Sequence, residues 1–494
     1  MASSRSSPPA ERARGPQAAA APPAQTDAAG RRSGDRDPVT AAVRAALTSL
    51  LAADTGQASG GGTVRIAVAL SGGRDSMVLL DVLAALAPGQ ALAVSALHVH
   101  HGLSPNADRW AAFCAAECER RGIALAIHRV RVQRAGGASL EAAARAARFH
   151  ALAQADADIV ALAHHADDQA ETLLLQLLRG AGPHGLAAMP ALRRAGGPRL
   201  IRPLLAVGRA AIEAYALQRK VAWIDDESNA DTRFRRNYVR HEIAPRLAAA
   251  FPGYPATLVR AAAHQAEAAR LVDELAQHDA QGVVGDDAAG AATLERAALI
   301  ALAARAPHRA RNLLRWFLRR HDLAAPATAR LAAMLDQLVR AAPDARVRLA
   351  HAGAELGIHR GRIVVHAPAV APFAVAWQGE ALLALPHGTL EFGFVPGAGL
   401  AAAAVAGVPV VVRPRTGGER IRLAANRPRQ PLKRLLQEAG VPAWQREAWP
   451  LVWCGELLAA VPGIGVAADF QAAAGAEGYE VRWRPQAWGM RGPD

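Results

Sequence analysis

The stretch Val64-Arg-Ile-Ala-Val-Ala-Leu70-Ser71-Gly72-Gly73-Arg74-Asp75-Ser76 decides the fold. A short apolar run ends at a glycine pair, and the apolar residues Met77–Leu86 then recur at helical spacing. This is a strand, a tight turn and a helix in succession. The two glycines reach turn conformations closed to other residues and let backbone amides approach a ligand. Those amides, at a helix N-terminus, form an anion site, and Ser71 and Ser76 add hydroxyl donors. Asp75 does not suit an anion by itself, because a carboxylate repels phosphate. It suits Mg²⁺ held against phosphates.

Outward from this loop the alternation continues. Ala91–His100, Ile123–Val130 and Ile159–Ala163 read as strands. A helix opens at Ser104-Pro105 and closes at Gly122, and Leu140–Gln154 and Gln169–Leu178 are helical. Strands alternating with helices predict an α/β domain, a doubly wound parallel sheet covered on both faces. Ligands in that architecture sit beyond the carboxyl ends of the strands, so polar residues just after strands carry the most weight.

Four further clusters fall at such places. Leu97-His98-Val99-His100-His101 ends the second strand; with no thiolate to supplement them, the histidines read as polar pocket lining rather than a metal site. Arg145 and Arg148 lie three apart on one helical face, where an arginine can grip phosphate with two donors. His164-His165-Ala-Asp167-Asp168-Gln169-Ala-Glu171 places His164 at a strand end, with Asp168 and Glu171 one helical turn apart on a common face. Finally, Trp223-x-Asp225-Asp226-Glu227 leads to Phe234-Arg235-Arg236-Asn237-x-x-Arg240.

The Ser-Gly-Gly-x-Asp-Ser loop resembles the pyrophosphate-binding loop of the PP-loop ATP pyrophosphatases. The later stretches, through Gly185-Leu-Ala-Ala-Met189-Pro190 and Arg202-Pro203-Leu204-Leu205, resemble the tRNA(Ile)-lysidine synthetases within that superfamily. So does Arg413-Pro-Arg415-Thr-Gly-Gly-Glu419-Arg420, followed by Pro431-Leu-Lys433-Arg434-Leu-Leu and Val461-Pro-Gly-Ile-Gly-Val466. One departure is Phe149, where the family pattern has an aromatic alcohol. The resemblance implies an ATP-dependent ligase. It would adenylate the wobble cytidine of a CAU-anticodon tRNA(Ile), release pyrophosphate, and join L-lysine to C2 with loss of AMP, changing decoding from AUG to AUA. It implies ATP at Ser71, Gly72, Gly73, Arg74, Asp75 and Ser76, with Mg²⁺ at Asp75. The catalytic set would be Asp75, Arg145, His164, Asp168, Glu171 and Arg236. A tRNA thiolation enzyme with the same loop is the rival reading, and it needs thiols near the site.

Composition bounds the rest. The chain has 494 residues, 51% hydrophobic, with 57 basic and 43 acidic side chains and a formal charge of +14. Only Lys220 and Lys433 are lysine, and neither follows a glycine, so no Gly-Lys-Ser/Thr phosphate loop exists. Three cysteines, Cys114, Cys118 and Cys454, give no disulfide framework and point to a cytoplasmic setting. The longest uncharged run, Phe392–Val412, is broken by glycines and prolines, so no membrane span is expected. Arginine is abundant throughout. Even so, residues 413–434 concentrate eight positive charges against one negative: Arg413, Arg415, Arg420, Arg422, Arg427, Arg429, Lys433 and Arg434. Such density suits a tRNA backbone.

The domain order read from this pattern has five parts. Residues 1–38 form a disordered tail, 39–250 the PP-loop domain and 251–370 a mostly helical middle domain. Residues 371–407 form a linker and 408–494 a small α+β C-terminal domain. A homodimer is left open.

Overall fold

The computed structural model describes residues 37–54, 63–88, 90–132, 140–194, 197–227, 231–287, 290–342, 345, 347–368 and 371–485. The expected tail, 1–38, lies outside these but for its last two residues. The chain divides into two compact units at Ala269/Arg270.

The first unit opens with α1 (Pro38–Asp54) and then alternates β1 (Val64–Ala69), α2 (Arg74–Leu86), β2 (Leu92–His100), α3 (Ala107–Arg120), β3 (Ala124–Arg129), α4 (Leu140–Ala153), β4 (Ile159–Ala161) and α5 (Ala166–Leu177). There follow α6 (Pro183–Leu186), β5 (Leu192–Arg193), β6 (Arg199–Ile201) and α7 (Arg209–Gln218). The unit continues through α8 (Arg235–Tyr238), a π-helical turn Val239–Ile243, α9 (Ala244–Ala250) and the start of α10 (Tyr254–Ala280). The sheet order is β3-β2-β1-β4-β6-β5. All neighbours are parallel except β5, which pairs antiparallel with β6 at the edge.

Alternation along the central strands explains why both faces are covered. Ile66 and Val68 of β1, with Ile159 and Ala161 of β4, point into a core shared with α1, α2, α3 and α7. Ala67 and Ala69, with Val160 and Leu162, point the other way, against Leu152 and Phe149 of α4. Each large aliphatic side chain so buried contributes about 1.5–3 kcal/mol. The strand order reverses between β1 and β4, and that reversal opens the crevice where a ligand fits.

Two element starts differ from the sequence reading. Helix α2 begins at Arg74, so Asp75 and Ser76 belong to its first turn. Ser104-Pro105 forms a turn ahead of α3, with Ser104 Oγ accepting the Asn106 amide at 3.1 Å, and the helix proper starts at Ala107.

The second unit holds two cores. One is built from α11 (Arg296–Arg305), α12 (Pro307–Arg320) and α13 (Thr328–Arg340). They pack on a sheet ordered β7 (Val284–Asp286), β8 (Ala292–Glu295), β11 (Arg362–His366), β10 (Ala354–His359), β9 (Leu349–His351). The middle region is therefore helices against a five-stranded antiparallel sheet. In α12, Leu313, Leu314, Phe317 and Leu318 face the core, while Arg309 and Arg319 pair with Asp279 and Asp273.

The expected linker 371–407 is not one. It forms β12 (Val375–Trp377), β13 (Leu382–Leu385), β14 (Gly388–Pro396), β15 (Leu400–Ala401) and α14 (Ala402–Val405). Trp377, Leu383, Leu385, Leu390, Phe392 and Leu400 join the C-terminal core. That domain continues through β16 (Val410–Arg413), β17 (Arg420–Ile421), β18 (Gln430–Pro431), α15 (Leu432–Glu438), α16 (Ala443–Ala448), β19 (Leu451–Cys454), β20 (Leu457–Val461), β21 (Gly465–Val466) and β22 (Glu477–Pro485). Strand β14 pairs with β22 along its whole length, from Gly388 opposite Pro485 to Pro396 opposite Glu477. The partner lies some 90 residues downstream, which local pattern does not reveal. No described helix is long and apolar enough to cross a membrane.

Candidate active site

The loop after β1 is a closed hydrogen-bonded turn. Ser76 Oγ donates to the Gly73 carbonyl at 2.9 Å and receives the Ser71 amide at 3.2 Å, while Ser71 Oγ accepts the Gly73 amide at 3.3 Å. Gly72 has φ +84°, and a Cβ there would meet Ile224 Cδ1 at 2.8 Å and Cys114 Sγ at 3.2 Å. The Ile224 amide donates to the Gly72 carbonyl at 3.0 Å, so the segment after α7 presses directly on the turn. Glycine is required at position 72 both by its backbone angle and by this close approach.

A cavity of about 610 Å³ opens beyond the carboxyl ends of β1, β2 and β4. Ser71, His98, Arg145, His164, Asp168 and Arg236 are among its walls, so the loop, the histidine strand end, the arginine helix and one carboxylate of the acid pair converge. The size suits a nucleotide. His98 is buried and bonds the Leu70 carbonyl through Nδ1 at 2.9 Å, which makes it a brace for the loop.

Each residue of the His164–Glu171 run has a separate task. Asp167 accepts the Arg209 amide at 2.9 Å and so fixes the start of α7. Gln169 exchanges two hydrogen bonds with the Met189 backbone, at 2.9 and 3.0 Å, fixing the loop after α6. His165 lies between three carboxylates: Asp75 at 3.5 Å, Asp168 at 3.4 Å and Asp167 at 3.6 Å. Burial disfavours its imidazolium, but the nearby carboxylates of Asp167 and Asp75 and the charge of Asp168 outweigh this and push it up to about 9. Next door, burial pushes His164 down to about 3, helped by Arg148, Arg202 and Arg236 and opposed only by Asp168. The adjacent histidines thus carry opposite protonation states at neutral pH.

Asp168 and Glu171 are gripped by two arginines. Arg236 donates to Asp168 at 2.9 Å and to Glu171 at 3.0 Å. Arg240 donates to Asp168 at 2.9 Å and to Glu171 at 2.7 and 2.9 Å. Burial raises the Asp168 carboxyl, but the charges of His165, Arg236, His164 and Arg240 hold it at about 2. Arg240, quoted in the sequence as the end of a basic stretch, belongs to the centre of this cluster. So does His165. Their signal in the sequence was proximity to the acid pair in the fold, which spacing alone does not carry.

Elsewhere around the cavity several cations crowd together. Arg202 is pushed down to about 10 by burial and by Arg145, Arg193 and Arg148. Arg148 is lowered by burial and by Arg145 and Arg236. Arg145 also lies 5.1 Å over the Phe149 ring. Guanidinium groups that repel one another across a cavity favour a polyanion.

Three families match the chain: the PP-loop domain over residues 45–247, the TilS substrate binding domain over 298–364 and the TilS substrate C-terminal domain over 410–483. The tRNA(Ile)-lysidine synthase of Nitrosomonas europaea is 42% identical over 432 residues, covering 85% of this chain and 92% of that one. The enzymes of the same name from Azoarcus sp. and Chromobacterium violaceum are 42% and 43% identical, covering 87% and 85% of this chain and 93% and 95% of theirs.

The chain belongs to the tRNA(Ile)-lysidine synthase family.

In this member of the lysidine synthase family, the fold brings together all six catalytic candidates, and Asp75 joins the acid cluster through His165 rather than facing the cavity alone. The rival reading fares poorly. Cys114 and Cys118 are buried, and burial pushes the Cys114 thiol up to about 12, which makes it inert packing under the loop.

The C-terminal candidates divide. Arg413 stacks its guanidinium 4.2 Å from the Trp453 ring, and Arg415 pairs at 3.2 Å with the enclosed carboxylate of Glu419. These two hold the domain together. Arg422 pairs with Asp469 at 2.6 Å and Arg434 with Glu438 at 2.7 Å. Arg420, Arg427, Arg429, Lys433 and Arg434 are exposed along the hairpin β17–β18 and the start of α15.

Proposed function

We propose that this chain forms lysidine on tRNA(Ile): it adenylates the wobble cytidine of the CAU anticodon with ATP and ligates L-lysine to C2. The observation that carries this reading is one cavity with a phosphate turn and several arginines among its walls, and with Asp168, tied to Glu171 through Arg236 and Arg240, beside them. A polyanion and an ammonium would meet there.

The cytidine O2 attacks the α-phosphorus and the bond to pyrophosphate breaks, with the leaving group received by the Ser71–Ser76 turn. Asp75 would be the residue to hold Mg²⁺, the ion that commonly accompanies nucleotide phosphates. Burial works against its charge, but His165 and Arg74 hold it below the usual carboxylate range, so it is deprotonated and fit to be such a ligand. Mg²⁺ bound there would neutralise charge spread over the phosphates.

Lysine Nε then attacks C2, the C2–O bond breaks and AMP leaves with that oxygen. The amine, with an ordinary pKa of about 10.4, must first lose a proton. Asp168, held low by its neighbours, is a poor acceptor and serves to orient; Glu171 takes the acceptor role in this reading. His164 meets the adenylate phosphate as a neutral ring, and Arg145 as a charge. A single-stranded anticodon loop presents its base edges to such a site. The reduced state of all three cysteines suits a cytoplasmic location.

Mass analysis of the wobble nucleoside after incubation of unmodified tRNA(Ile) with ATP and lysine tests the proposal. Lysidine should appear with one AMP and one pyrophosphate per turnover; a wobble cytidine left unchanged would refute it.

The exposed C-terminal cations support backbone contacts that position the tRNA without reading bases. Replacing Arg427, Arg429 and Lys433 by Gln should weaken tRNA binding and flatten its log–log salt dependence by about one unit per lost contact at most. ATP affinity should not change. An unaltered salt slope would leave the patch a solubility device.

A further inference from the structure

The carboxylate pair is fully occupied by the protein's own donors. Asp168 Oδ1 receives Arg236 and Arg240, and its Oδ2 receives the His165 amide at 3.2 Å. Glu171 Oε1 receives Arg240, and its Oε2 receives both arginines. All four oxygens are taken, and the carboxylate side chains are only 12% and 5% exposed. A substrate ammonium cannot bind here unless a guanidinium leaves.

Arg240 is the one placed to leave. It rises from the π-helical turn Val239–Ile243, and such turns occur frequently at functional sites. Behind it lies a second cavity of about 350 Å³, walled by Glu171, Gly208, Ala244, Pro245 and Tyr254. Among the described residues, Arg240 alone lines both this cavity and the nucleotide cavity. Asp168 faces the front space and Glu171 the rear one, with Arg240 as the partition.

We propose that Arg240 is a latch: it stands in for the substrate amine on Asp168 and Glu171, and nucleotide phosphate draws it away so that lysine binds only after ATP. This rests on the reading of the acid pair as the lysine site. The physical basis is competition for one guanidinium. Phosphate takes arginine through paired donors at least as well as carboxylate does. Before ATP arrives, the neighbouring guanidinium groups of Arg145, Arg148 and Arg236 repel a further cation; the polyphosphate reverses that balance. Glu171 Oε1, whose donor is Arg240, is then freed for the amine, while Arg236 keeps its hold on Asp168 Oδ1 and Glu171 Oε2. Arg240 is a positioning residue in this scheme, touching neither the reacting carbon nor the α-phosphorus.

Calorimetric titration of L-lysine into the full chain, with and without α,β-methylene ATP and Mg²⁺, tests the latch. Wild-type protein should bind lysine about tenfold more tightly with the analogue present. In Arg240→Gln the analogue-free affinity should rise, so that the ratio falls below about threefold. Arg240→Met, whose unbranched side chain fills the same rear space, is the second variant and carries the same expectation. Equal wild-type affinity in both conditions overturns the latch, as does a variant that keeps the tenfold ratio. Absence of lysine binding even with the analogue would instead remove the site reading on which the latch rests.

Discussion

Asp75→Ala should lower pyrophosphate release by about three orders of magnitude, which corresponds to about 4 kcal/mol of lost transition-state stabilisation. Asp75 sits in the first turn of α2 beside the phosphate turn, and His165 at 3.5 Å fixes its direction. Without it the loop keeps its amides and hydroxyls, because those bonds run among Ser71, Gly73 and Ser76 and do not involve Asp75. The variant should therefore fold and hold tRNA within about twofold of wild type, since backbone contacts dominate that affinity. Filter binding of tRNA alongside a pyrophosphate assay separates the two effects. Adenylation of tRNA at the normal rate would end the proposed metal role.

Glu171→Gln should raise the KM for lysine about thirtyfold while moving that for ATP by less than about twofold. Exchanging a charge-assisted hydrogen bond for a neutral one loses about 2 kcal/mol, which converts to a factor of about thirty. Stability should fall as well. Glu171 is 5% exposed at its side chain and neutralises parts of both Arg236 and Arg240, so its loss leaves two enclosed guanidiniums under-paired. A thermal melt measures this loss, and steady-state kinetics in each substrate measure the first. Equal changes in both KM values would mean that the pair serves the nucleotide.

Much of this was legible residue by residue. The run Val64–Ser76 states strand, turn and helix through composition and spacing alone, and the structure has them there. Asp168 and Glu171 one turn apart announce a shared face, because helical geometry is local. The Arg413–Arg434 cluster stands out as charge density whatever its shape. Other features were silent for a common reason. The region 371–407 reads as unpatterned because its strands are edge pieces that find their partners far along the chain: β14 with β22, β12 with β16. Within the basic cluster, Arg413 and Arg415 looked like the rest until Trp453 and Glu419 came beside them.

What the sequence alone determined is the α/β alternation, the phosphate turn, the acid pair and the charge of the C-terminal region, all properties of short segments whose side-chain chemistry and periodicity suffice. The tertiary structure decided which charges meet. Arg240 is sixty-nine positions from Glu171 and His165 ninety from Asp75, yet the parallel sheet brings the ends of β1 and β4 side by side and the chain after α8 folds back over both. Protonation follows from that meeting: His164 and His165 are chemically identical neighbours, both disfavoured as cations by burial, and only the arginines near the one and the three carboxylates around the other set their charges apart. Electrostatic energy depends on distance through space and on access to water, and neither is written in the order of residues.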